Sequence, residues 1–252
     1  MKKILTLAGA ALVMASAVAS EPLIVAHRGH HRAEGSAQNS IRSLVKADSI
    51  GAYASEFDVW MSADSVMYLN HNVDINGVVI ETSTSEVLDT CHLKNGEVLP
   101  RLDAFLDVAK DLKVGLVFEL KPHQDKGLEA AAVARAIQMI ADRGLTERTM
   151  YITFSRHAYD LLVRDSGRPV QYLNAMEPAE VEASGGAGAD FNISVYRENP
   201  TWIDDLHARG LKVNVWTVDS EENIQWCIDN GADFITTNEP ERAMRMAAGY
   251  KE

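Results

Sequence analysis

Cysteine is nearly absent: Cys91 and Cys227 are the only two in 252 residues. Two thiols so far apart in sequence cannot make a dense disulfide scaffold. An exporting compartment permits one bridge, and the sequence leaves open whether the two meet. Positive charge is also scarce, with 24 Lys and Arg against 36 Asp and Glu and a formal net charge of −12. Such a chain has no electrostatic footprint for nucleic acid or for an anionic membrane surface. An anionic substrate has to be held by a local arrangement of cations working against the global field. The longest apolar run, Ile4 to Ala19, stops short of the roughly 18 residues that a membrane anchor needs. No Pro- or Ser-rich linker, charge run or low-complexity tract divides the chain, and Gly185-Gly186-Ala187-Gly188 is too short to separate domains.

What is present at the start is Lys2-Lys3, the apolar run, and small residues at Ala15-Ser16-Ala17 and Ala17-Val18-Ala19. A short basic start with a small-residue exit describes a secretory signal peptide, so residues 1 to about 20 are expected to be removed. No Cys near the cleavage region offers a lipid anchor. Loss of this leader takes the net charge from −12 to −14, because it holds two lysines and no acid. The expected product is secreted or periplasmic, with no stable membrane anchor. Residues 21–252 are then long for an ordinary domain but normal for one (β/α)8 barrel, which takes about 250 residues.

Apolar runs of strand length recur at 23–26, 53–59, 66–70, 114–120, 150–154, 169–173, 190–194, 211–218 and 233–236. Helix-like segments separate most of them, which argues for parallel α/β architecture. Asp125 is expected to cap a helix over 128–142 that stops at Arg143-Gly144, Asn199-Pro200 to open another, and Ser220-Glu221-Glu222 a third. Nine strands exceed the eight of a barrel. The pair 56–61 and 66–71 is the expected exception, since only Ser62-Ala63-Asp64-Ser65 separates its members. A two-residue hairpin loop at Asp64-Ser65 places Asp58 opposite His71. Residues 72–99, with turns at Asn76-Gly77 and Asn95-Gly96 around a short helix near 84–90, are expected to form an inserted flap.

Charged residues gather where these runs end. His27-Arg28-Gly29 closes the first, Glu56 and Asp58 lie on the second, His71 closes the third, and Glu119-Leu120-Lys121 closes the fourth. Barrel enzymes collect their chemistry at the carboxyl ends of strands. Glu56 and Asp58, two apart on a strand, share a face and repel unless a cation lies between them. Oxygen-only ligation that includes Glu119 suits one hard divalent ion, Ca²⁺ or Mg²⁺. Two imidazoles, His27 and His71, suffice for proton transfer to and from the oxygens of a phosphodiester. Arg28 and Lys121 can neutralise phosphoryl charge, or pair with the same carboxylates. Trp216 either walls a small polyol or is plain core. His30, His31, His92, His157 and His207 read as ordinary polar or helical residues, and nothing fixes His123 near the site.

Taken together, the segments Ala26-His27-Arg28-Gly29, Glu56-Phe57-Asp58-Val59, His71, Leu99-Pro100-Arg101-Leu102, Glu119-Leu120-Lys121, Thr153-Phe154, Trp216-Thr217-Val218 and Gly231 through Pro240 resemble the glycerophosphodiester phosphodiesterase family. The resemblance implies a TIM-type barrel, a divalent cation, and hydrolysis of glycerophosphodiesters to glycerol 3-phosphate and an alcohol. It implies Glu56, Asp58 and Glu119 as metal ligands and His27 and His71 as acid and base. It further implies Arg28 and Lys121 as phosphate ligands and Trp216 as a lining of the glycerol side. The family often carries Pro-Glu-Asn-Thr where this chain has Ala37-Gln38-Asn39-Ser40, and His-Asp where it has His71-Asn72. Both changes remove an acid. Two alternatives follow: a cyclising, phospholipase-like phosphodiesterase, and a non-catalytic glycerophosphoryl-binding protein. The headgroup and the oligomeric state are open at this stage.

Overall fold

The computed structural model describes residues 21–249. The expected leader, residues 1–20, lies outside the described residues. In chain order the strands are β1 (Leu23–Ala26), β2 (Ala54–Met61), β3 (Met67–Leu69), β4 (Asp74–Ile75), β5 (Val78–Val79), β6 (Gly115–Leu120), β7 (Thr149–Thr153), β8 (Val170–Tyr172), β9 (Gly188–Asn192), β10 (Lys212–Trp216) and β11 (Phe234–Thr237). The helices are α1 (Ile41–Ser49), α2 (Ser85–Leu88), α3 (Leu102–Ala109), α4 (Lys126–Ala141), α5 (Arg156–Asp165), α6 (Pro178–Ala183), α7 (Ile193–Glu198), α8 (Trp202–Ala208), α9 (Glu221–Asp229) and α10 (Pro240–Ala247). Strands β1, β2, β6, β7, β8, β9, β10 and β11 pair in parallel, and β1 pairs with both β2 and β11, so the sheet closes. This is a TIM-type (β/α)8 barrel. No helix among the described residues is long and apolar enough to cross a membrane.

A closed parallel sheet buries both faces of each strand, and β2 is buried along its whole length. Val25, Ala54, Val117, Ile152 and Leu173 pack together inside the barrel. Their strand neighbours Ala26, Phe57, Val59, Phe118 and Leu120 face outward and join Leu44, Leu106, Val133 and Leu162 of the helices. Helix starts follow the capping signals: Ser40, Asp125, Ser155 and Ser220 each accept a first-turn N–H through the side chain. One expected start moves. Helix α8 has Thr201 as its N-cap, because the Asn199 amide donates to the Val195 carbonyl and closes α7 instead.

Strand β3 is the surplus strand, and it runs antiparallel on β2. Its register differs by one residue from the expected one. Val59 faces Leu69 and Met61 faces Met67, so Asp58 comes opposite Asn70 rather than His71. The reason is a three-residue loop: Ser62 N donates to Val66 O, and Ser65 takes the left-handed conformation with φ 66°. The Asp64 carboxylate stabilises that loop by accepting from Ser62 Oγ and from Ser85 at the start of α2. His71 therefore lies beyond the hairpin pairing, and approaches Asp58 from the flap.

The flap has a core of its own, with Trp60, Tyr68, Ile75, Ile80, Leu88 and Leu99 buried together. Its β4–β5 hairpin turns at Asn76 and Gly77, both left-handed. Cys91 belongs to this core and Cys227 to that of the opposite barrel half, and both thiols are free. A cavity of about 460 Å³ opens at the amino-terminal end of the strands, away from the ring of charged strand ends. Three of the four cations there are engaged in structural roles: Arg148 bonds the Ala109 and Leu112 carbonyls, Arg168 pairs with Glu147, and Lys212 pairs with Asp233.

Candidate active site

The chain leaves β1 through a tight turn in which Arg28 and Gly29 have φ of 55° and 73°. Gly29 N donates towards both Ala26 O and Glu56 O at 3.1 Å. A Cβ at Gly29 would lie 2.3 Å from Ser43 Oγ and 2.8 Å from the Ser43 carbonyl carbon, so only glycine fits. The turn points the Arg28 backbone N–H at Glu56 Oε2, 2.7 Å away. Thus the same three residues that place His27 also anchor the first carboxylate.

Glu56, Asp58 and Glu119 each offer one oxygen within 4.8 Å of the others, and all three are buried. Burial, then repulsion from Asp58 and Glu119, pushes the Glu56 carboxyl well above the usual carboxylate range. Glu119 is raised for the same reasons, against the pull of Lys121. Burial works on Asp58 too, but Lys121, His71, Arg28 and a hydrogen bond from Asn39 outweigh it and hold its carboxyl at about 2. The triad fits a hard divalent cation: its donors are all oxygen, and Glu56 Oε1 is buried with no hydrogen-bond partner. These three carboxylates could therefore hold an ion. Lys121 Nζ sits 2.7 Å from Glu119 and 3.2 Å from Asp58, and Arg28 Nε is 3.6 Å from Asp58. Both cations thus pair with the carboxylates, as one of the two sequence readings allows.

His27 Nδ1 lies 2.8 Å from Asn238 Oδ1. The Asn238 amide NH2 donates to Asp219 Oδ2, so its oxygen accepts and His27 carries its proton on Nδ1. Nε2 is left outside that bond, 4.0 Å from Glu56 Oε2. Burial, with Arg28 adding to it, lowers His27 to about 4. His71 Nδ1 is 2.9 Å from Asn72 Oδ1, and burial lowers this imidazole as well. His27, Arg28, Glu56, His71, Glu119 and Trp216 line one cavity of about 110 Å³, against which Asp58 and Lys121 are bonded from below. All eight residues singled out in the sequence come together there.

The opposite wall is apolar. Phe154 and Trp216 meet edge to face with centroids 5.6 Å apart, and Trp216 Nε1 donates to the Asp190 carbonyl at 2.9 Å. Asp190 lines the same cavity as an unanticipated acid: it is fully buried, its Oδ1 has no partner, and burial pushes its carboxyl up to about 8. Between the unfolded value near 3.9 and the folded one, the native state holds a proton that the unfolded chain has lost. Stability contributed by the neutral acid is therefore lost as pH rises through that window, by up to roughly 5 kcal/mol. Asp190→Asn should raise the melting temperature at pH 8 more than at pH 5.5. Equal shifts at both pH values would contradict this account.

Besides Asp190, four positions bonded to the site residues or to their partners escaped the sequence reading. Asn39 clamps Asp58 reciprocally, donating to Oδ2 at 2.8 Å and accepting from its backbone N–H at 3.0 Å. Asn238 and Asp219 hold His27, and His31 Nε2 shares the Asn238 oxygen at 2.8 Å. The segments containing Asn39 and Asn238 were visible as motifs, but amides carry no titration signature to mark a role. His123 is structural: its Nε2 accepts from Met61 N and its Nδ1 faces Lys121 O.

Residues 27–242 match the glycerophosphoryl diester phosphodiesterase family. A solved glycerophosphodiester phosphodiesterase from Parabacteroides distasonis is 40% identical, covers 91% of this chain and 98% of its own, and superposes with a TM-score of 0.89. A phosphodiesterase from Oleispira antarctica, solved in complex with the product sn-glycerol-3-phosphate, shares the fold at 22% identity and a TM-score of 0.78, over 91% of this chain and 97% of that one. A glycerophosphodiester phosphodiesterase from Caldanaerobacter subterraneus subsp. tengcongensis is 24% identical over 89% of this chain and 97% of its own. With its barrel, its acidic triad and its paired imidazoles, the chain belongs to the glycerophosphoryl diester phosphodiesterase family and is a phosphoric diester hydrolase.

Proposed function

We propose that this enzyme hydrolyses glycerophosphodiesters to glycerol 3-phosphate and an alcohol, with Glu56, Asp58 and Glu119 holding one divalent cation, Ca²⁺ or Mg²⁺. The observation that carries the reading is the convergence of His27 and His71 on one small cavity with Glu56 and Glu119. A bound cation supplies Lewis-acid neutralisation of phosphoryl charge. Arg28 and Lys121 would bind phosphoryl oxygens, Arg through its planar fork and Lys as a point charge. Phe154 and Trp216 wall the glycerol side and exclude water from it.

His27, with Nδ1 committed to Asn238, presents Nε2 to take a proton from the attacking oxygen. His71, bonded to Asn72 through Nδ1, gives a proton from Nε2 to the departing alkoxide. The anionic diester favours the imidazolium form of that ring when it binds. The attacking oxygen belongs either to water or to the substrate's own 2-hydroxyl, which gives a cyclic phosphate that water then opens. Export after removal of a leader of about 20 residues remains part of the proposal and is motivated by the basic, then apolar, start of the chain.

The test is release of glycerol 3-phosphate from glycerophosphodiesters by the mature protein, with and without chelator, followed by phosphorus NMR. Chelator-sensitive product is the expected result. A cyclic phosphate that accumulates unopened would replace hydrolysis by cyclisation. Cation binding with no turnover of any diester would leave a glycerophosphoryl-binding protein.

A further inference from the structure

A second cavity, of about 430 Å³, lies under the flap and shares His71 with the catalytic one. It has the size of a small-ligand site. His71 is the group that protonates the leaving oxygen in the reading above, so the leaving alcohol projects from it towards this cleft. Its lining differs in kind from the aromatic wall on the other side. Gln38, Asn70, Asn72 and Asn76 bring amides, His92 an imidazole and Lys94 an ammonium, and no Phe, Tyr or Trp contributes.

Several of these groups are left with hydrogen-bonding capacity. Gln38 Oε1 accepts from Arg28 and Asn72 Oδ1 from His71, which commits both oxygens and leaves both NH2 groups without a protein acceptor among the described residues. Ser36 Oγ, also in the lining, is buried with no partner. The lining holds one carboxylate, Asp74, and its Oδ2 already accepts from Gly77 N at 3.0 Å. A quaternary ammonium is held best by aromatic faces, which this cleft lacks, and its one carboxylate, Asp74, shares the lining with the Lys94 ammonium, which opposes a cation. Amides, hydroxyls and imidazoles instead match the alternating donors and acceptors of a polyol.

We infer that the cleft beneath the flap is a headgroup subsite for an uncharged, polyhydroxylated alcohol such as inositol or glycerol. The inference rests on the phosphodiesterase reading and deepens it, because it names the alcohol that the reaction releases. Gln38 and Asn72 are then specificity residues. They stand where the family often carries acids, and an acid at either place would favour a cationic headgroup.

The test compares kcat/KM for glycerophosphoinositol and glycerophosphoglycerol with kcat/KM for glycerophosphocholine and glycerophosphoethanolamine, in the natural enzyme and in the double variant Gln38→Glu/Asn72→Asp. The polyol diesters should be preferred by at least tenfold, chiefly through KM, and the double variant should bring that ratio down at least tenfold. Equal or better use of the choline diester by the natural enzyme overturns the headgroup assignment while leaving the phosphodiesterase intact. An unchanged ratio in a folded, active double variant overturns it as well. Failure to turn over any of the four diesters removes the phosphodiesterase reading and the subsite together.

Discussion

Replacing Glu56 by glutamine is expected to abolish the thermal stabilisation that Ca²⁺ or Mg²⁺ gives the protein, and to lower kcat/KM on the order of 10³-fold. The substitution keeps the volume and an oxygen for the Arg28 N–H, so the β1 turn survives. What it removes is one of three charges crowded within 4.8 Å. Without added cation the variant should be at least as stable as the natural protein, because the Glu56 carboxyl is forced by burial and by its acidic neighbours to resist ionisation. With cation at about 100 times its dissociation constant, a natural protein that binds it in the triad should gain about 2.7 kcal/mol. In a chain of this size that gain is worth on the order of 5–10 °C. Differential scanning calorimetry with chelator and with each cation separates the two effects. A variant that keeps the full cation shift would show that the ion binds elsewhere.

The opposite signs of those two effects have a common origin in the way the barrel positions its acids. Strand alternation told where Glu56 and Asp58 point, since two residues along a strand return to the same face. Continuous apolar runs marked the eight barrel strands among the nine expected, because a parallel strand buried on both faces reads that way. The hairpin register was a different matter. It depends on whether the loop holds two residues or three, and Ser65 in a left-handed conformation decided for three. Nothing in Asp64-Ser65 announces that choice as Asp-Gly would. Asp190 was hidden for another reason: its run reads as an ordinary strand, and only closure of the barrel shows that its side chain points inward, opposite Asn214. The hydrogen bonds that orient His27 cross from β1 to the end of β11, and a separation of 211 residues leaves no local trace.

His71→Ala should lower kcat by about 10²–10⁴-fold on diesters with alkyl leaving groups, the range for loss of a positioned proton donor. The size of that loss should depend on the alcohol. An alkoxide leaves as a strong base and needs its proton in the transition state, whereas a nitrophenolate leaves unaided. With a nitrophenyl diester of glycerol phosphate the deficit of His71→Ala should therefore shrink at least tenfold. His27→Ala should lose the same factor with both substrates, because in the proposed assignment His27 serves the attacking oxygen and not the leaving group. The proposed assignment rests on placement: His71 borders both the catalytic cavity and the cleft beneath the flap, while His27 lines the catalytic cavity and not the cleft, with its Nδ1 held by Asn238. Steady-state rates on the two substrates with the two variants form a closed comparison. If the leaving-group dependence appears in His27→Ala and not in His71→Ala, the acid and the base exchange places, and the alcohol must exit away from the flap.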